Sequence, residues 1–527
     1  MTRKNSDSES CVLRPESCVQ NVSTQDAGHR TQDLLLPFAA FAIALALRLL
    51  NLPYAFDHGR PVISPLDELY HWKRISFSTL HFPRVQELDP DRGDGGAFCP
   101  WPPLYDLTAG GAARLLGARD ASGVLARVVW FPPVVFAAFV AAAVAVLARA
   151  CGAFTAIVTG VALAASPFLV TTSWVGSIDH HFLEPMLVFG ILWGTLAVGR
   201  WPLAVFLTAA MFVQTALVIA AGLSFAVLFL MRKRAALAFA VPALAIALYR
   251  LTRPPGYPNS QWFLGWTHAA LFAGAAVALS FRRRWLGLAL GVLIVLPFTP
   301  QVIAGVHFLR GNPWLMTIGE FQPVWRARGE DLLSIVVGLG AGAILVWPLA
   351  MKKHPVALFA AVYLVLTLMS RRFWIIAIPL LALAGAIYAG KRVVLALLVA
   401  VPPPLQLAGW LMTSPMPAVQ PEQRPWIAKA EWLRRQPPGR VLAPWSMGHA
   451  LDVIGEHAVI IDNFGSMPDP ALFDAANAAL AGRDLEGFCR EHKVRYVILS
   501  EAKDLVRPPR SFAVSAAQDD GTIRDGQ

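Results

Sequence analysis

Charged residues are scarce in this sequence: only 15% of its 527 residues are Asp, Glu, Lys or Arg. Soluble domains average about 25% charged residues, so the composition excludes an ordinary soluble protein. Cysteines are also few, five in all, and their scattered positions exclude a disulfide framework. The first 32 residues lack the pattern of a signal peptide and are polar, so we expect them to form a disordered cytoplasmic tail.

Apolar residues are abundant instead, at 56% of the chain with a mean hydropathy of +0.52. This composition predicts an α-helical polytopic membrane protein surrounded by membrane lipids. The net charge of +11 comes largely from basic clusters that lie between apolar runs. Such clusters indicate cytoplasmic loops, and they argue against a nucleic-acid partner.

The apolar runs predict the membrane topology. The 29-residue run 202–230 is long enough to cross twice, with its turn near Gln214 and Thr215. The count is then about 13 crossings, with the N-terminus inside and the C-terminal part outside. The predicted spans are 34–52, 124–148, 153–172, 182–199, 202–230, 235–249, 263–280, 286–303, 333–350, 356–369, 373–390 and 393–412.

These spans divide the chain into four parts. The tail 1–32 precedes a transmembrane catalytic domain, 33–412, whose first outer loop is unusually long at about 53–123. A loop of that length is typical of a functional segment. A small extracytoplasmic α/β domain at 413–510 and a tail at 511–527 complete the predicted organisation.

A polar stretch between two predicted spans contains Asp179, His181 and Glu184. Ionisable groups at a membrane boundary cost several kcal/mol unless they are paired, which makes them candidates for function. Carboxylate and imidazole groups at this spacing could bind a divalent metal. The alternative is an ordinary helix start, with Asp179 as cap and Glu184 favoured by the helix dipole.

Other ionisable residues map to the same predicted outer face. In the first outer loop, Asp67 and His71 share a face if the segment is helical, although an amphipathic helix lying on the bilayer has the same pattern. Glu320 is an isolated carboxylate in an outer loop, where most such groups are merely solvated. Arg371 and Arg372 oppose the positive-inside tendency, and a guanidinium is suited to bind phosphate.

Four short motifs resemble those of a known protein family and follow one another in the same order as in that family. They are 67–75 with 101–106 behind it, 179–181, 317–320 and Arg372-Phe373. The sequence resembles the catalytic subunits of oligosaccharyltransferases, GT-C membrane glycosyltransferases that use polyprenyl-linked sugar donors. The segment 179–181 is similar to the family's second acidic motif in the form where a histidine replaces the second Asp.

The resemblance implies a role for each matching residue. Asp67, Asp179 and His181 would hold Mg²⁺ or Mn²⁺, and Arg372 would bind the donor phosphate. Glu320, with Asp67, would activate an acceptor that attacks the sugar with inversion. The active site would face outward from a bacterial or archaeal cell membrane. Four further residues would support this group: His71, His180, Glu184 and His449.

The chain departs from the family at 444–448. The family carries Trp-Trp-Asp-Tyr-Gly there and uses it to bind the Ser or Thr of an Asn-x-Ser/Thr acceptor. Only Trp445 and Gly448 match, and Ser446 stands where the family has Asp. We expect Trp445 and Gly448 to contact a peptide acceptor, while a lipid or polysaccharide acceptor remains an alternative. A transporter is disfavoured because the carboxylates map to the outer boundary and no internal repeat is visible.

Overall fold

The computed structural model describes residues 27–197, 199–312, 314–326, 342–413, 419 and 423–499. Helix α1 begins at Ala27, before the predicted end of the N-terminal tail at residue 32. The rest of that tail, the tail 511–527 and the first part of the predicted span 333–350 lie outside the described residues.

Helices dominate the described chain, because an apolar segment satisfies its own backbone groups most fully as a helix. Up to residue 171 they are α1 (Ala27–Arg48), α2 (Leu52–Ala55), α3 (Asp67–Leu80), α4 (Leu104–Leu115), α5 (Ala121–Val128), α6 (Phe131–Cys151), α7 (Ala153–Ala165) and α8 (Pro167–Thr171). From residue 183 to residue 311 they are α9 (Leu183–Leu196), α10 (Arg200–Val213), α11 (Val218–Leu230), α12 (Ala236–Leu251), α13 (Trp266–Ser280), α14 (Arg284–Val295) and α15 (Thr299–Gly311).

The remaining helices lie on both sides of residue 413. They are α16 (described over Gly342–Met351), α17 (Pro355–Met369), α18 (Trp374–Ala389), α19 (Val393–Ala400), α20 (Pro402–Thr413), α21 (Arg424–Leu433), α22 (Gly448–Val453), α23 (Pro470–Leu480) and α24 (Leu485–Glu491).

Within the described residues, four continuous helical stretches are long and apolar enough to cross a membrane: Ala121–Cys151, Arg284–His307, Arg371–Ala389 and Val393–Met412. Several other apolar helices have only 10–17 residues. The structure therefore has the apolar helical bundle expected of a membrane protein. The number of 13 crossings stays a prediction.

The run 202–230 reverses direction where the sequence predicts a turn. Helix α10 ends at Val213, a one-turn 3-10 helix follows at Thr215–Leu217, and α11 begins at Val218. The Gln214 amide nitrogen lies 3.0 Å from Nε2 of His180, just before α9. Thr195, near the other end of α9, hydrogen-bonds to Ser224 of α11 at 2.7 Å. Helix α10 therefore runs towards His180 and α11 runs away from it.

The first outer loop is folded rather than irregular. It contains α3 and α4, together with two short antiparallel pairs, β1 (Phe56–Asp57) with β2 (Arg60–Pro61) and β3 (Leu88–Asp89) with β4 (Ala97–Phe98). Helices α3 and α4 approach so closely that a Cβ on Gly110 would lie 2.8 Å from the Ser78 Cβ. That approach requires a glycine and holds α3 in place.

The C-terminal region contains three short strands and several short helices. Its three strands β5 (Arg440–Leu442), β6 (Ala458–Val459) and β7 (Val494–Val497) form a parallel sheet in the order β6-β5-β7. The first outer loop hydrogen-bonds to the edge strand β6 of this sheet, where the Gly93 amide donates to the Val459 carbonyl at 2.9 Å. The buried Arg92 beside it forms an ion pair with the buried Asp462.

Candidate active site

The predicted site residues lie at the starts of helices. Asp67 is the first residue of α3, and Asp179 precedes a 3-10 turn, His180–Phe182, that leads into α9. Arg372 lies in a similar turn, Arg371–Phe373, at the start of α18. Helix N-termini carry partial positive charge, so three of them facing one point favour carboxylates and phosphate there.

Asp67, Asp179 and His181 form one compact group. Each offers a ligand atom within 4.8 Å of the other two. Asp179 Oδ2 lies 3.0 Å from His181 Nε2. Burial and the nearby Asp179 carboxylate raise the pKa of Asp67 to about 7. The like charges of the two carboxylates are the arrangement that a bound cation stabilises.

Arg372 and Glu320 complete the group. The Arg372 guanidinium donates to Glu320 at 3.1 Å and to Glu184 at 3.0 Å, and its Nη1 lies 2.6 Å from His181 Nε2. Glu320 belongs to the 3-10 turn Gly319–Phe321. The backbone of Arg371 donates to the Gln322 carbonyl at 3.1 Å, which ties this loop to the start of α18. The structure therefore brings Glu320, although it is far away in sequence, close to the candidate ligands Asp67, Asp179 and His181, which we call the metal group.

A buried hydrogen-bond network stands behind these residues. His71 Nδ1 lies 2.6 Å from Asp106, and Asp106 also pairs with Arg74 at 2.5 Å. His71 Nε2 lies 2.9 Å from His180 Nδ1. Trp101 stacks on the His71 ring with centroids 4.1 Å apart. The predicted supporting positions of His71 and His180 thus belong to one network.

Sequence reasoning assigned no role to Asp106 or Arg74. Both lie in the stretches that carry the family resemblance, and Arg74 lies one helical turn beyond His71 on α3. This helical spacing from His71 could have indicated from the sequence that Arg74 belongs to the same network. Asp106 gave no such signal, because only the packing of α4 against α3 brings it to His71.

No protein-family model and no curated protein sequence matches the chain. Solved structures match it by their fold. The archaeal oligosaccharyltransferase AglB from Archaeoglobus fulgidus, in complex with an inhibitory peptide and a dolichol-phosphate, superimposes with a TM-score of 0.73 at 16% identity. That match covers 90% of this chain and 70% of the archaeal one. The chain has the oligosaccharyltransferase fold.

Two further structures of the Archaeoglobus fulgidus oligosaccharyltransferase agree. One, tethered to an acceptor peptide containing the NVT sequon, has a TM-score of 0.67 at 17% identity and covers 88% of this chain and 68% of its own. The other, in complex with Zn and sulfate, has a TM-score of 0.63 at 16% identity, with coverages of 88% and 67%. The resemblance stated from the motifs is thus confirmed at the level of the fold.

Within this oligosaccharyltransferase fold, Trp445, Gly448 and His449 have different surroundings. Trp445 packs edge-on against Trp314, with ring centroids 5.8 Å apart. A Cβ on Gly448 would overlap the Asp462 backbone, so this glycine is required by the packing of α22. His449 is brought to the metal group, with its Nε2 3.6 Å from Asp67 Oδ1.

His449 is fully buried and stacks on Tyr70 with centroids 4.8 Å apart. Neither of its ring nitrogens has a hydrogen-bond partner in the part of the chain that the structure describes. Burial lowers the pKa of His449 to about 3, so the ring is neutral at neutral pH. His449 therefore places an uncharged polar group beside Asp67.

A cavity of about 280 Å³, lined by both polar and apolar side chains, opens onto Asp179 and His181. Asp179 and His181 form part of its wall, so substrate groups can reach both. Burial and the charge of Asp179 raise the pKa of Glu68, another wall residue, to about 8. The cavity is otherwise rich in hydroxyl and amide groups: Ser64, Thr171, Thr172, Ser177 and Gln423.

Proposed function

We propose that this protein is a metal-dependent inverting glycosyltransferase that uses a polyprenyl-phosphate or polyprenyl-pyrophosphate sugar donor. The acceptor is a protein asparagine, as in oligosaccharyltransferases. One observation carries this proposal: Asp67, Asp179 and His181 lie together within reach of both Arg372 and Glu320. A metal group, a phosphate-binding cation and a carboxylate acid–base group are the parts that this reaction requires.

The residues present fit a divalent cation. Asp179 is nine-tenths buried, and it lies with Asp67 and His181 so that one ligand atom of each is within 4.8 Å of the others. Two carboxylates and one imidazole are a mixed ligand set that suits Mg²⁺ or Mn²⁺. When bound, such an ion neutralises the negative charge that develops on the phosphate leaving group.

Glu320 and Asp67 hold the acceptor in this mechanism. Their carboxylates accept hydrogen bonds from the acceptor nitrogen and orient its lone pair towards the anomeric carbon. The nitrogen–carbon bond forms as the bond from that carbon to the phosphate oxygen breaks on the opposite side, which inverts the configuration. The proton released by the nitrogen passes to a carboxylate, and Glu320 is placed to take it.

Arg372 binds the donor phosphate. In the structure its guanidinium is shared between Glu184 and Glu320, which hold it in place before the donor arrives. A phosphate accepts two parallel hydrogen bonds from a guanidinium, so it can compete for these donors. Donor binding then weakens the Arg372–Glu320 pair and leaves Glu320 available to the acceptor.

The polyprenyl chain has an apolar place to lie. A cavity of about 340 Å³ between α11, α12, α13 and α14 is lined almost wholly by apolar side chains, among them Val218, Phe239 and Phe272. Val218 is one helical turn from Gln214, which contacts His180. The cavity therefore begins near the metal group and continues between apolar helices. The protein is on this proposal an integral membrane enzyme, and its site lies on the extracytoplasmic face because the basic clusters favour cytoplasmic loops on the other side.

A second candidate keeps the same chemistry but uses a lipid or polysaccharide acceptor. Two observations favour it. Ser446 stands where the peptide-binding motif has an acid, and Gly448 is explained by packing against Asp462 alone. A site that lacks its hydrogen-bonding carboxylate cannot select an acceptor hydroxyl in the same way.

One experiment separates these candidates. The purified full-length protein is incubated with a panel of polyprenyl-linked sugars, with Mn²⁺, and with either an Asn-x-Thr peptide or a membrane lipid extract. Mass spectrometry then identifies which molecule gains the sugar. We expect a glycosylated peptide. A glycosylated lipid or glycan establishes the second candidate, and no transfer from any donor contradicts the proposal.

A further inference from the structure

A buried arginine lies at the end of the first apolar helix. Arg48 is the last residue of α1, and its side chain is fully buried. No carboxylate lies within ion-pair distance of its guanidinium in the described part of the chain. A buried charge without a counter-ion costs several kcal/mol, and such residues in apolar membrane segments usually serve a function. The contacts of Arg48 show what that function is.

Arg48 provides hydrogen bonds at the end of a broken helix. Helix α7 ends at Ala165, and Pro167 begins α8. Because Pro167 has no N–H, it cannot donate to the Leu163 carbonyl four residues before it. Arg48 Nη2 donates to that carbonyl at 3.3 Å, and Nη1 donates to the Ala164 carbonyl at 3.1 Å. The guanidinium thus satisfies carbonyls in the last turn of α7, as a buried helix end requires.

The same guanidinium reaches the chain beyond α8. Its Nε donates to the Ser173 hydroxyl at 2.7 Å, and that hydroxyl donates to the Leu169 carbonyl of α8. The guanidinium also lies over the Phe136 ring of α6, 4.3 Å from its centroid. A planar group with five N–H donors can make all of these contacts at once. Arg48 therefore holds α6, α7, α8 and Ser173 to the end of α1.

The segment 173–178 leads directly to Asp179 and contains no helix or strand. Its position must therefore come from contacts with other elements. Besides the bond from Arg48 to Ser173, three hydrogen bonds to its backbone join it to the rest of the fold: Asn51 to Val175 at 2.8 Å, Val129 to Gly176 at 3.2 Å and Tyr105 to Ile178 at 2.6 Å. Arg48 holds the beginning of this segment, and Asp179 follows its end.

We propose that Arg48 is a positioning residue for the metal group. It acts through the broken helix α7–α8 and the segment 173–178, and it keeps the Asp179 carboxylate beside Asp67 and His181. This inference rests on the proposed function, because it requires these three residues to bind a divalent cation. Residues that support metal ligands typically contribute about 10–100-fold in metal affinity or activity. Arg48 acts through the backbone, so we expect the lower end of that range.

Manganese binding tests this inference without an activity assay. The full-length protein in detergent is titrated with Mn²⁺, and the free ion is measured by electron paramagnetic resonance. Arg48→Gln lacks the charge and the planar fork of donors, so we expect its Kd for Mn²⁺ to rise about tenfold. Turnover at saturating Mn²⁺ should fall less, because excess ion compensates for a weaker site.

Arg284→Gln is the matched control. Arg284 also donates to a carbonyl near the end of a helix, that of Phe229 in α11, at 2.5 Å, and it lies 5.3 Å from the centroid of the Phe229 ring. These contacts are at the end of α11 that is remote from His180. Arg284→Gln should therefore keep the Kd for Mn²⁺ of the natural protein, even where its thermal stability falls as much as that of Arg48→Gln.

A milder variant covers the case in which Arg48→Gln does not fold. Ser173→Ala keeps the arginine and removes one of its acceptors, so its Kd for Mn²⁺ should rise by a smaller factor. An unchanged Kd in the folded Arg48 variant, or in Ser173→Ala if that variant does not fold, overturns the inference and leaves the proposed function standing. Equal rises in Arg48→Gln and Arg284→Gln overturn it too. A natural protein that binds no Mn²⁺ overturns the metal-dependent function itself.

Discussion

The regions proposed to bind the donor and the acceptor are built differently. On the donor side, charged side chains from three distant segments contact one another directly, with Arg372 joined to Glu184 and Glu320. On the acceptor side, the turn Trp445–Met447 is held by apolar and aromatic packing, such as that of Trp445 on Trp314. The proposed donor region is thus a charged network, whereas the proposed acceptor region is a packed surface.

This difference has a physical reason. Removing one member of a buried charged network leaves its partners without hydrogen bonds, at about 1–3 kcal/mol for each group. A half-buried side chain on a packed turn can change at much lower cost. The donor side therefore resists substitution, while the acceptor side can adapt to another acceptor. The predictions that follow test this contrast, from the largest expected effect to the smallest.

Removing the metal ligands should have the largest effect. Asp67→Ala, Asp179→Ala and His181→Ala are each expected to lower turnover by about 10³-fold or more, because the developing phosphate charge loses its counter-ion. EDTA should abolish turnover and Mn²⁺ should restore it. Circular dichroism and thermal unfolding check that each variant is folded. Undiminished turnover in EDTA would show that the site works without a metal.

Changing Glu320 should affect turnover rather than donor binding. Glu320→Gln keeps the shape but cannot accept the acceptor proton, so we expect a loss of about 10²–10⁴-fold in turnover. Donor affinity, measured by binding of a polyprenyl-linked sugar, should be retained or should rise, because Arg372 loses a competing carboxylate. A variant that binds donor poorly but turns over normally at saturation is the opposite result, and it would assign Glu320 to the donor.

Changing Arg372 should give the reverse pattern. Arg372→Ala removes hydrogen bonds to a charged group, each about 1.5–3 kcal/mol, so donor affinity should fall by about 10–100-fold. Arg372→Lys should recover only part of it, because a point charge replaces a planar fork. The matched control is Arg371→Ala in the same turn, which should bind donor nearly as well as the natural protein. Equal losses in both variants would argue for a general charge effect.

The smallest effect is expected on the acceptor side. Ser446→Asp restores the acid of the related motif and should sharpen the preference for Asn-x-Thr over Asn-x-Ala peptides by about 1–2 kcal/mol, or about 5–30-fold. The ratio of kcat/KM for the two peptides measures it, and Ser446→Asn provides an uncharged control. If neither peptide reacts and Ser446→Asp changes nothing, the acceptor is not a peptide.

The sequence was informative where function depends on local pattern. Apolar runs predicted the helices, and the length of 202–230 predicted the reversal at Gln214. The residues of the metal group were predicted from motif resemblance, and the structure brings them together. Trp445 and Gly448 remain predicted acceptor contacts, but the packing of Gly448 against Asp462 is sufficient reason for a glycine there.

The parts that the sequence could not predict depend on contacts between distant segments. His71 meets Asp106 across 35 residues, and Lys73 contacts Asp452 across 379 residues. No periodicity or spacing encodes such pairs, because they follow from how whole helices pack. The same is true of His449, whose place beside Asp67 depends on the C-terminal layer docking on α3.

The buried ion pair between Arg92 and Asp462 also sets an order of events during synthesis. Its two residues are separated by 370 positions in the chain. A ribosome adds about 5–20 residues per second, so Asp462 is synthesised roughly 20–70 s after Arg92. Until then the guanidinium stays in water, because burying it unpaired would cost several kcal/mol. The first outer loop therefore closes only after nearly the whole chain has emerged, and a nascent chain cannot complete its site early.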